Sequence, residues 1–227
     1  MKKLLVGLMM VGTGLLFMSP VASAYTISVH DQIILTQGIG GANSGGSFNV
    51  SKASNPSETL FSSFCLERNE FFSLGRSLYV GEIEDGARNG GYSGQNTQFY
   101  DPISFQTAFL YYRWATFGTN PLGIEHTKDN ANALQLAIWS LEGEITTAHP
   151  LTLTTAADKF IADAAGAENR YYGVQVMNLY GSYTVGAGYS DHKQSQLIYN
   201  SVPEPATMLL FGLGLIGLAG AGRKFRK

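Results

Sequence analysis

Residues 101–142 read DPISFQTAFLYYRWATFGTNPLGIEHTKDNANALQLAIWSLE. Asp101-Pro102 is a cap and first-turn pair, and Phe105, Ala108, Phe109 and Tyr112 follow at i, i+3, i+4 and i+7, which predicts a helix to about Phe117. The run Gly118-Thr119-Asn120-Pro121-Leu122-Gly123 breaks it. A second helix is expected from Asp129 to Glu142, with Leu134, Ala137, Ile138 and Leu141 on its core face. Gln135 lies about 100° round from Leu134 and one turn below Trp139, so it sits beside the apolar stripe. A third, Ala-rich helix is expected across Thr155 to Glu168, with Asp158 and Asp163 on a solvated outer face.

Working outward, strands flank the helical block. Tyr25 to Val29 alternates apolar and polar side chains, and Gln32 to Leu35 extends that pattern. Ser47 to Val50 and Thr59 to Leu66 read as further strands, the second carrying Cys65. Tyr172 to Tyr180 and Gln196 to Tyr199 read as closing strands. Gly38 to Gly46 and Arg88 to Gln98 read as loops. The first has neither a strand-to-helix context nor the Lys-Ser/Thr of a phosphate cradle. These elements make a single α+β domain with a helical part inserted among strands.

Both ends carry different chemistry. Met1-Lys2-Lys3, the apolar run Leu4 to Phe17 and the small-x-small Ala22-Ser23-Ala24 stand in the order of a secretory signal peptide covering 1–24, with cleavage between Ala24 and Tyr25. At the other end Pro203-Glu204-Pro205 precedes 17 uncharged residues, Ala206 to Gly222, and then Arg223-Lys224-Phe225-Arg226-Lys227. That length meets the lower limit of about 17 to 25 residues for crossing a bilayer. The basic tail should remain cytoplasmic, leaving the bulk of the chain outside.

The segment 203–227 resembles the PEP-CTERM sorting signal, a Pro-Glu-Pro motif followed by a hydrophobic helix and an Arg-rich end that a membrane enzyme, the exosortase, reads. The resemblance implies a Gram-negative exporter whose passenger is held in the inner membrane, cut near Pro203-Glu204-Pro205 and passed to the cell surface or extracellular matrix. Exosortase and the secretion machinery are then partners during export, and the inner membrane a transient one.

Between the two signals lie residues 25–202, with 9 basic and 16 acidic residues, a net charge of −7. Such a domain has no electrostatic footprint for nucleic acid or anionic lipid. One cysteine allows no internal disulfide and no multi-thiolate cage, and His30, His126, His149 and His192 show no ligand spacing, so no metal and no cofactor is expected.

The remaining chemistry lies in Phe64-Cys65-Leu66-Glu67 and in Leu134-Gln135-Leu136-Ala137-Ile138-Trp139-Ser140-Leu141-Glu142-Gly143-Glu144. A glutamine among Leu, Ala, Ile and Trp is a polar amide where burial is expected, and burial without a partner costs a few kcal/mol. A hydrogen bond to backbone would solve this. So would covalent chemistry, in which the Cys sulfur displaces ammonia from the Gln side chain to give a thioester. At these residues the chain resembles the thioester-domain family of bacterial surface proteins, named for a Thr-Gln-x-Ala motif; Leu134 stands where that name has Thr. The resemblance covers about Phe61 to Glu144 and includes an intervening aromatic helix of the type Thr107-Ala108-Phe109-Leu110-Tyr111. It implies a β-barrel-like or sandwiched sheet with an inserted helical part. It also implies a Cys65–Gln135 thioester that couples once to a nucleophile on a surface or matrix macromolecule, a protein amine or a polysaccharide. The protein would then be an adhesin in a biofilm and no turnover enzyme, with Glu67, His126 or Glu142 placed to move protons.

Two other classes compete. A noncovalent structural or polysaccharide-binding matrix protein would leave Cys65 as a free buried thiol. A glycan hydrolase would need paired carboxylates, for which Glu67 with Glu70, or Glu82, Glu84 and Asp85, are the candidates. The aromatic set Tyr111, Tyr112, Trp114, Phe117 and Trp139 could stack sugars, but at helical spacing it fits a core better.

Overall fold

A computed structural model describes residues 27–41, 45–89, 91 and 100–200. Ala24, Tyr25, Pro203, Glu204, Pro205 and the apolar run of the tail lie outside the described residues. The fold is α+β: six strands in one antiparallel sheet, a two-stranded ribbon, and three helices.

The strands are β1 (Gln32–Gln37), β2 (Phe48–Lys52), β3 (Phe61–Ser63), β4 (Ser77–Glu84), β5 (Gly86–Arg88), β6 (Tyr100–Pro102), β7 (Val174–Thr184) and β8 (Gly188–Tyr199). The main sheet runs β3-β2-β1-β4-β7-β8, and β5 pairs with β6. All three helices, α1 (Phe105–Ala115), α2 (Lys128–Leu141) and α3 (Thr155–Ala164), fall between β6 and β7. The two ends of the sheet are also joined. Just beyond β3, Cys65 stands opposite Gln196 of β8; Leu197 N donates to Phe64 O at 3.0 Å and Leu66 N to Ser195 O at 3.2 Å.

Several sequence expectations are corrected. Of the strand expected from Tyr25 onward, the described part before Gln32 is not strand, because Val29 and His30 form a turn with His30 at φ 74°. β4 lies where the sequence reading placed no strand, with Leu78 and Val80 buried in the core. β7 and β8 extend well past the expected ends as a long hairpin.

Asp101 is not the cap of α1; it lies in β6, and Ser104 caps the helix, its Oγ accepting from Thr107 N. The buried face of α1 is Thr107, Ala108, Leu110, Tyr111 and Trp114, of which the sequence reading had placed Ala108. Phe105, Phe109 and Tyr112 form a second contact face, their rings packing on Tyr171, Tyr172 and Tyr199. A helix covered on two sides needs apolar residues nearly all round, which erases the single stripe that periodicity looks for. α3 stops at Ala164, and Asp163 is no mere solubilising group: it pairs with Arg113 of α1 at 3.4 Å and with Lys159 at 3.2 Å.

α2 starts one residue earlier than expected. Thr127 caps it, accepting from Asn130 N, and Asp129 in its first turn complements the dipole. Its middle is buried from Ala133 to Trp139. Glu142 at its C-cap reaches back to α1, its Oε1 accepting from Ser104 Oγ at 2.7 Å and from Ser104 N at 3.1 Å. This contact and the caps fix how α2 lies against the seam between β3 and β8.

Candidate functional site

Cys65 follows β3 at the point where the chain leaves β2 and pairs with β8. In the Cys65–Gln196 pair both ladder bonds run between the flanking residues, so the N–H and C=O of Cys65 point away from β8 and need partners on the other side. Among the described residues no strand lies there. Gln135 of α2 fills the gap: its Nε2 donates to Cys65 O at 2.9 Å, and its Oε1 accepts from Cys65 N at 3.3 Å and from Gly46 N at 2.9 Å. A primary amide has the donor and acceptor layout of a peptide group, and here it stands in for one in the ladder.

The thiol completes the arrangement, with Cys65 Sγ 3.2 Å from Gln135 Oε1. Both residues are fully buried. Burial is the chief cause that pushes the Cys65 thiol up to about 12, aided by the nearby carboxylates of Glu67 and Glu144 and opposed by the Gly46 N–H. The resting group is therefore a thiol and not a thiolate.

Gly45 and Gly46 cover the site. A Cβ on Gly45 would lie 2.6 Å from Trp139 Cη2 and 2.7 Å from Gln135 Cγ, and one on Gly46 would lie 2.9 Å from Ser63 O. The end of the Gly-rich stretch, read from sequence as a flexible loop, is thus backbone packed flat on the candidate amide.

The proton-handling candidates separate. Glu67 is buried in the seam beside Cys65; its Oε2 accepts from Ser195 N at 2.9 Å while Oε1 has no partner. Burial first, then the Glu70 carboxylate, raise its pKa to about 8. His126 instead stacks on Trp114 with its Nε2 2.9 Å from Trp114 O, and Glu142 is occupied in capping α1.

The hydrolase carboxylates are each engaged by neighbouring groups, and Glu67 and Glu70 lie close enough for Glu70 to raise the Glu67 pKa. Glu82 accepts from Tyr180 OH, Glu84 pairs with Arg88 at 2.6 Å, Asp85 accepts from Tyr100 OH and Glu70 lies 3.0 Å from His192. Of the aromatic set, Tyr111, Trp114 and Trp139 are core, Tyr112 stacks on Tyr172, and Phe117 alone is exposed. Sequence reasoning passed over Gly46 and Gln196. The Gly-Gly doublet beside a strand was the one local signal for the first; the second comes into place only through long-range pairing.

Comparison with known proteins bears on the tail. Residues 201–224 match the PEP-CTERM protein-sorting motif. The match supports an exported protein that an exosortase processes, held at the membrane before release to the surface. No curated protein and no solved structure matches the chain. Among the described residues no helix is long and apolar enough to cross a membrane.

Proposed function

We propose that residues 25–202 form one exported surface domain in which Cys65 and Gln135 make an internal thioester for one-off covalent attachment to a partner macromolecule. The single observation that carries this reading is the setting of the Gln135 carbonyl: two main-chain N–H groups, of Gly46 and Cys65, converge on its oxygen while the Cys65 sulfur lies 3.2 Å from that oxygen. Paired donors of this kind stabilise the oxyanion that forms when sulfur adds to the amide carbon. As that adduct collapses, the amide nitrogen takes the thiol proton and leaves as ammonia, so the step needs no outside reagent.

The resulting bond is an electrophile kept from water by Gly45, Gly46 and Trp139. An amine on a surface or matrix partner, a protein lysine being the simplest, attacks the Gln135 carbon and releases Cys65. The protein acts once and is an adhesin, not an enzyme; the sorting signal delivers it to the surface or biofilm matrix where such partners lie.

A second reading has its own observation. The unreacted Gln135 amide already makes three hydrogen bonds to main chain, which suits a structural plug in a noncovalent matrix protein with a free buried thiol. Intact mass of the protein purified from its exporting host separates the two. The first requires a mass lighter by one ammonia and capture of one methylamine; the full unmodified mass with a thiol that alkylates after unfolding would overturn it.

A further inference from the structure

Gln196 is the residue of β8 that stands directly opposite Cys65. The bonds Leu197 N to Phe64 O and Leu66 N to Ser195 O make this the non-hydrogen-bonded kind of antiparallel pair, in which the two side chains lie on one face with their Cβ atoms about 4.5–5.5 Å apart. On its other flank, in register on β7, Gln196 has Met177, which offers no hydrogen bond. Gln196 is fully buried, and neither its Oε1 nor its Nε2 has a partner. A buried primary amide with both ends unsatisfied is costly and calls for an explanation.

We infer that Gln196 orients the attacking amine and the departing sulfur when the Cys65–Gln135 bond opens, a role that rests on the thioester reading above. The amine nitrogen attacks Gln135 Cδ while one of its N–H bonds is held by Gln196 Oε1. The Cδ–Sγ bond breaks, its electron pair goes to Sγ, and the proton lost by the nitrogen ends on Sγ as the thiol. Gln196 Nε2 donates to the sulfur as that charge develops. Both ends of the amide are then used, which the closed site alone does not achieve. The ligand class that follows is a nucleophile that keeps a hydrogen for Oε1 beside the lone pair it commits, a primary amine being the simplest.

Gln196→Met tests this in the full exported protein, because methionine nearly conserves volume and removes the unpaired polar atoms. The expected result has opposite signs in two readouts. Thermal stability should equal or exceed that of the wild type, as a structural hydrogen-bonding role would not allow. The rate of methylamine capture, followed by mass, should fall about tenfold or more while the variant still carries the ammonia-deficient mass. Gln196→Asn, with donor and acceptor one methylene short, should capture at an intermediate rate. Capture by Gln196→Met at the wild-type rate, or a marked loss of its stability, overturns the role of Gln196 and leaves the thioester standing. A wild type without the ammonia-deficient mass overturns both.

Discussion

Gln135 stands to Cys65 as a neighbouring strand would: one side-chain amide accepts the Cys65 N–H and donates to the Cys65 C=O, while its oxygen also takes the N–H of Gly46. The amide thus knits together three separate parts of the chain: the segment after β3, the segment before β2, and α2. Asn178 of β7 does the same for the β5 ribbon, its Oδ1 accepting from Arg88 N at 2.7 Å and its Nδ2 donating to Gly86 O at 3.2 Å. The difference lies in what stands beside each amide. Asn178 Oδ1 also takes the Ser195 hydroxyl at 2.9 Å, whereas Gln135 has the sole thiol of the chain.

Removing the Gln135 amide should therefore cost stability whether or not a covalent bond forms. In a Cys65→Ala background, where no thioester is possible, adding Gln135→Ala leaves the Gly46 N–H, Cys65 N–H and Cys65 C=O unpaired in the core. At about 1–3 kcal/mol for each unsatisfied group, and with partial relaxation, the double variant should be about 3–5 kcal/mol less stable than Cys65→Ala alone. Urea denaturation of the two proteins measures this. A difference below about 0.5 kcal/mol would show that the ladder contacts contribute little.

Gly45→Ala should open the site from above. The new methyl would meet Trp139 Cη2 and Gln135 Cγ at 2.6 and 2.7 Å, so the backbone or the helix must move apart by a substantial part of an ångström. Overpacking of this kind costs about 1–3 kcal/mol. It also lets water reach the carbonyl. A thiol-specific alkylating reagent that leaves native Cys65 untouched should label the folded variant, as detected by mass. An unlabelled variant of normal stability would mean that the Gly45 backbone is not what closes the site.

Much of this was legible beforehand, for physical reasons that can be named. The helices of 105–115 and 128–141 have strong local periodicity and breakers between them, and the Cys65 and Gln135 strings stand out as polar or reactive groups in apolar settings. Local signals could not show that Asp101 belongs to a strand, because Asp-Pro serves equally well before a helix; Ser104 wins because Glu142, 38 residues on, holds it in place. Nor could they show the face of α1, which is packed on two sides. Gln196 carries no local mark at all. Its place opposite Cys65 follows from the joining of the two sheet ends, a pairing between residues 131 positions apart.

The sorting signal gives a prediction independent of the domain. If an exosortase reads residues 201–224, replacing Pro203-Glu204-Pro205 with three alanines should leave the apolar run and basic tail able to anchor but not to be cut. The uncut chain should then accumulate in the inner-membrane fraction at the mass retaining the tail. A variant released as efficiently as the wild type would show that cleavage does not depend on these three residues.

Glu67 ties the site to pH. Its folded-state pKa is raised from 4.5 to about 8, by burial first and by the Glu70 carboxylate second. Between those values the native state binds a proton that the unfolded state has released, so stability falls as pH rises from about 4.5 to about 8 and levels off above. Glu142, raised in the same direction by burial, adds to the slope. Glu67→Gln keeps an oxygen to accept from Ser195 N but cannot ionise. Its stability profile should be shallower than that of the wild type through this window, and at pH 8 and above it should be the more stable protein by a few kcal/mol. Thermal unfolding across pH 4 to 9 measures both curves. Parallel curves would mean that Glu67 ionises in the folded protein as it does in the unfolded chain, and that its carboxylate does not carry a buried proton next to Cys65.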